Sequence, residues 1–97
     1  MPENTTATLH IINKAPEHAR FRHCLASVQQ GDTLLLIEDA VLALLDREKQ
    51  FPGAGASYGL EADAHARAVA NRVPADQLVD YAGFVQLTVN HSRIINW

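Results

Sequence analysis

The chain of 97 residues has only one cysteine, Cys24. No intrachain disulfide can form, which excludes a disulfide-stapled secreted scaffold. It has no apolar run near the ~18–20 residues of a membrane span. Its first residues, MPENTTATLHII, carry neither the basic start nor the long apolar block of a signal peptide. A reducing, cytoplasmic setting is therefore expected. Nor is there a cluster of bases. Eight Lys and Arg, scattered from Lys14 to Arg93, face eleven acids for a net charge of −3. Direct binding of nucleic acid, which needs grouped cations to neutralise phosphates, is not expected.

Recognisable cofactor and metal signatures are missing too. The segment after the first apolar run reads NKAPE, with no GxGxxG and no GxxxxGK[ST]. Lys14 beside a helix start is a weak anion site at most, and no bound cofactor is expected. The five histidines (His10, His18, His23, His65 and His91) include no pair four residues apart. His18 and His23 lie about 140° apart on a helical wheel and cannot chelate together, so no metal is expected. His10 sits inside an apolar strand and reads as a hydrogen-bonded core histidine. No Ser–His–Asp pattern is readable.

What is present is alternation. LHII (9–12) reads as a strand and 17–29 as a helix. Gly31 and Asp32 signal a turn before TLLLI (33–37), which is apolar on both faces as a doubly covered strand must be. Glu38 and Asp39 are placed to cap or charge-stabilise the next helix, 40–45, which can run on into DREKQ. FPGAGA (51–56) reads as a loop and 57–63 holds a short strand. Residues 62–70 have alanine at every second position, yet alanine favours helix, and a helix is predicted. QLVDY (77–81) reads as a strand, 82–91 as a helix, and SRIINW as a tail. Strands alternating with helices imply right-handed crossovers and a parallel sheet with helices on both faces. The chain is long enough for one such domain, 8–97, after a loose start at 1–7.

Helical wheels put Phe21, Leu25 and Val28 on one face of the first helix, with Cys24 at the edge of that face. Val41, Leu44 and Leu45 share a face of the second. Tyr81, Phe84, Val85 and Thr88 share a face of the last. Leu42 and Leu87 fall off these faces, and Ile94, Ile95 and Trp97 add an apolar tail; these are either scattered surface leucines with a tail folded onto its own core, or subunit contacts. Cys24 also has two readings. One is a small apolar residue at a core edge; the other is a partly reachable thiolate that accepts sulfur, with Arg20 and His23 nearby. Its depth of ~12 Å along the helix leaves little help from the helix dipole.

Leu9-His10, the NKAP segment (13–16), Gly31-Asp32 with LLLIED (34–39), and above all VDYAGFVQLTVNH (79–91) with Trp97 resemble the TusB/DsrH family of sulfur-relay subunits. The chain departs from that family in its start, MPENTTA, in Ala40 where the family often has glycine, and in FPGAGAS. The resemblance implies a small flavodoxin-like parallel α/β layer of four to five strands. It implies a heterohexamer with TusC-like and TusD-like subunits, a component of a sulfurtransferase complex rather than an enzyme by itself. Such a complex passes persulfide sulfur from a cysteine desulfurase and a TusE-like acceptor toward a tRNA thiouridylase, for 2-thiouridine at the wobble position. The DsrH branch implies an alternative in dissimilatory sulfur oxidation. Its members carry a cysteine on the first helix, which makes Cys24 the candidate persulfide carrier.

Overall fold

The structure, a computed structural model, describes residues 7–46 and 56–97. Most of the expected loose start and of the FPGAGA loop lies outside the described residues. Five parallel strands form one sheet in the order β4-β3-β2-β1-β5. They are β1 (Thr8–Ile12), β2 (Thr33–Leu36), β3 (Ala56–Leu60), β4 (Leu78–Val79) and β5 (Arg93–Asn96). The α-helices are α1 (Ala19–Ser27), α2 (Glu61–Ala66) and α3 (Tyr81–Asn90). This is the expected α/β class, with one strand added: the supposed tail SRIINW contains β5, which pairs with β1 from Thr8↔Arg93 to Ile11↔Asn96.

The apolar runs dictate the two layers. Alternate side chains of β1 and β2 point to opposite faces, and both strands are buried along their whole length. Ile12, Leu34 and Leu36 form a core with Phe21 and Cys24 of α1, Val41 and Leu44 of the following helix, Ala64 and Val69. On the other side, Leu9, Ile11 and Leu35 are covered by Phe84 and Leu87 of α3, with Tyr58 and Val79. The connections that step away from β1 thus lie on one face, and the connection that returns to β5 lies on the other, as right-handed crossovers require.

The second helix differs from expectation in kind. Glu38–Asp46 is a 3-10 helix, whose three-residue period stacks residues i and i+3. Ala40 with Ala43 and Val41 with Leu44 are therefore buried, while Leu45 turns outward, 41% exposed. Leu44 packs so closely over β3 that a Cβ on Gly59 would collide with its Cδ1. The residues expected to continue this helix (47–50) lie outside the described residues.

The helix predicted over 62–70 stops at Ala66 because a Schellman turn ends it. Ala68 adopts φ +59°, its N–H donates to the His65 carbonyl, and the Val69 N–H donates to that of Ala64 at 2.8 Å. The buried pair Val69 and Ala64 supplies the hydrophobic contact that accompanies this motif. A left-handed alanine costs about 1 kcal/mol that glycine avoids. Ala68→Gly is expected to raise stability by ~0.5 kcal/mol after the added freedom of the unfolded chain is subtracted. Urea unfolding with an unchanged m-value would show it, and a destabilised variant would contradict the assignment.

Candidate functional site

Cys24 is fully buried, at 0% exposure, not at a reachable edge. It lies one turn after Phe21, and these two are the buried residues of α1. Both insert into the apolar layer formed with Ile12, Leu34, Leu36 and Val41. Burial pushes the thiol up to about 12. Arg20 and His23, the cations expected to activate it, are exposed.

The sheet also buries a polar chain of three side chains. His10 is 1% and Asp32 6% exposed. His10 Nε2 lies 2.9 Å from Asp32 Oδ2, and the Trp97 indole Nε1–H donates to His10 Nδ1 at 3.1 Å. An indole nitrogen only donates. His10 Nδ1 must therefore be the acceptor and Nε2 carries the proton, donated to Asp32. The Asp32 carboxylate also accepts the backbone N–H of Thr8 on Oδ1 and that of Gln29 on Oδ2, both at 3.0 Å. Burial works to raise this carboxyl, but the Gln29 and Thr8 N–H groups and His10 outweigh it and hold it below the usual range. Gly31, at φ +94°, makes the turn that aims Asp32. The expectation for His10, a satisfied core histidine, holds. In the sequence Asp32 reads only as a turn residue, because its role depends on contacts the local pattern does not contain.

This polar chain runs from Asp32, just before β2, through His10 in the middle of β1, to Trp97, just after the carboxyl end of β5. At the carboxyl end of β1, the start of α1 is closed by its own side chain, since His18 Nδ1 accepts the Arg20 N–H. Glu38 and Asp39 occupy the first turn of the 3-10 helix as expected. Their bonds go to α2, however: Asp63 Oδ2 accepts the Glu38 N–H and Asp39 Oδ1 accepts from Arg67 Nε at 2.9 Å. Among the described residues no group of three His, Cys, Asp or Glu is placed to hold a metal ion. None of their helices is long and apolar enough to cross a membrane.

The remaining unusual surface is α3. Its sequence, YAGFVQLTVN, contains no charged residue. It starts at Asp80, whose Oδ1 accepts the Gly83 N–H at 2.8 Å. Phe84 and Leu87 face the sheet, whereas Tyr81, Val85 and Val89 are 63, 59 and 70% exposed. These three are four residues apart and form one row along the helix. The expected face is therefore corrected. Val85 and Tyr81 point outward, and Leu87, expected off the face, points inward. A helix apolar nearly all round gives a wheel too little contrast to choose. Leu42 is exposed as expected, at 38%. Ile94 of β5 adds exposed apolar surface on the sheet face that α3 covers.

The described residues thus define a small open α/β domain with a charge-free outer helix and a sealed polar clasp in its sheet. The family described as "DsrH like protein" matches residues 14–94. Similar proteins include Protein TusB of Pectobacterium parmentieri, 35% identical, and Protein TusB of Escherichia coli O1:K1, 33% identical; each alignment covers 92% of this chain and 99% of the relative. Protein TusB of Pectobacterium atrosepticum is 34% identical over the same shares. The chain belongs to the DsrH-like family.

Proposed function

We propose that this chain is a TusB-type subunit of a cytoplasmic heteromeric sulfur relay, joined to TusC-like and TusD-like chains in a heterohexamer. In this reading the assembly passes persulfide sulfur toward 2-thiouridine at the tRNA wobble position. The observation that carries it is the exposed row Tyr81, Val85 and Val89 on a helix without charge. Charge depletion with aromatic and aliphatic exposure is the composition of an interface core. Family membership supports the chemistry. The chain's own contribution is then to complete an interface and position a partner's thiol.

Co-expression with TusC-like and TusD-like chains is expected to give one heteromeric species by light scattering. Val85→Asp/Val89→Asp should release this chain from it, with an unchanged circular dichroism spectrum. A wild-type chain that elutes as a monomer beside its folded partners would overturn the proposal.

The DsrH-like reading, in which Cys24 itself carries sulfur, is favoured by one observation: α1 is anchored by only two fully buried side chains. With α1 displaced, the Cys24 thiolate attacks the outer sulfur of a donor persulfide. A new S–S bond forms, the donor's S–S bond breaks, and the donor leaves as a thiolate. Mass spectrometry after incubation with the donor should then show one added sulfur that Cys24→Ser loses, and an unmodified mass would exclude it.

A further inference from the structure

We propose that His10 is a proton-operated clasp on the edge strand β5: neutral, it holds Trp97 and keeps β5 on the sheet; protonated, it releases Trp97 and uncovers the edge of β1. The geometry leaves His10 Nδ1 a single role. It accepts the Trp97 indole N–H at 3.1 Å, and a proton placed there would set two N–H groups against each other. The opposite nitrogen faces Asp32 at 2.9 Å, an anion that welcomes a positive imidazole. Protonation therefore strengthens one end of the chain of side chains and breaks the other.

β5 is otherwise held mainly through its backbone. It lies at the sheet edge with only Ile95 half-buried and its other three residues exposed. Beyond its ladder to β1, the Trp97 N–H donates to the Ile11 carbonyl at 2.8 Å. The indole also stacks on the imidazole, with ring centroids 6.1 Å apart. Trp97 thus joins β5 to the core through His10.

Other ionisable groups around His10 do not compete for this role. Cys24, on α1 over the same sheet face, is buried and uncharged; Arg20, Arg22 and His23 of α1 and Arg93 of β5 are exposed. His91, at the end of α3, is engaged with the Leu87 carbonyl and Thr33 Oγ1. Asp32 is held below the usual carboxylate range and remains an anion at neutral and mildly acidic pH. Once the open form protonates, the closed-to-open ratio falls about ten-fold per pH unit.

Trp97 is the single tryptophan of the chain, so its fluorescence reads the clasp directly. Lowering the pH of the full chain from about 8 to about 5 is expected to red-shift the emission and raise acrylamide quenching. Far-UV circular dichroism should keep its helical signal. Over the same interval the indole N–H should lose its protection from hydrogen exchange in the wild-type protein. His10→Asn, which keeps an acceptor for the indole but has no proton to gain there, should abolish the transition. If that variant fails to fold, the indole exchange and the wild-type imidazole NMR shifts decide alone. A fluorescence and exchange profile flat with pH, a transition surviving in a folded His10→Asn, or loss of the whole fold at the same midpoint would each overturn the clasp.

Discussion

Cys24 in the native chain is expected to react with a disulfide reagent such as DTNB about a thousand-fold more slowly than in the unfolded chain. The thiolate is the reacting species, and burial that lifts the thiol to about 12 starves the native state of it. The reagent must also reach a side chain that is 0% exposed. Both effects vanish in denaturant, so one thiol per chain should then titrate at once. The comparison separates the two sulfur readings. A sluggish native thiol makes Cys24 a packing residue beside Phe21 and leaves the transfer chemistry to a partner. A thiol that reacts quickly in the folded chain would mean that α1 opens readily, as the carrier reading requires. Cys24→Ala should accordingly leave the relay of the intact complex near wild type under the first reading and abolish it under the second.

Asp32→Ala is expected to cost at least about 3 kcal/mol, because it leaves several N–H donors without their acceptor at about 1–3 kcal/mol each. In a chain this short that corresponds to a fall in melting temperature of ~15 °C or more. The variant strands the Thr8 N–H, the Gln29 N–H and the His10 Nε2–H, which the carboxylate satisfies at 2.9 to 3.0 Å. The pH dependence has a definite sign. Because the native Asp32 carboxyl lies below its ordinary value, its contribution is complete above that value, ~4, and drains away as the pH falls through the lowered native one. Thermal melts of the two proteins should therefore converge on acidification below about pH 4. A gap that is constant down to about pH 2 would show that the carboxylate is not held by these partners.

The parts of this fold legible in the sequence are those where the local pattern and the tertiary role agree. LHII and TLLLI are apolar on both faces because both sides of the sheet are covered, and no long-range information is needed to see them. The exposed side of α1 is equally plain from Ala19, Arg22, His23 and Ala26. Reading fails where two periods fit the same letters. An Ala/Leu run such as AVLALL suits a 3.6-residue and a three-residue helix alike, and the choice decides whether Leu45 is inside. Strand β5 was invisible because RIIN is short and mostly exposed; its pairing partner, β1, is at the far end of the sequence. The same distance hides the site. His10 could be read as a core histidine from its neighbours, but Asp32 and Trp97 join it only through the sheet. The outward row of α3 had one available signal, ten consecutive residues without a charge, which matters more than the wheel when the wheel has no polar side.

The order β4-β3-β2-β1-β5 has a consequence for synthesis. Four strands can assemble as they leave the ribosome, each beside its predecessor. The first strand nevertheless keeps a naked flank until residue 96 has been made. Pairings of such sequence separation are the slow ones in folding. A nascent chain of this protein therefore displays the sticky flank of its five-residue first strand until synthesis is nearly complete, and that edge is where chaperone protection or premature association should concentrate.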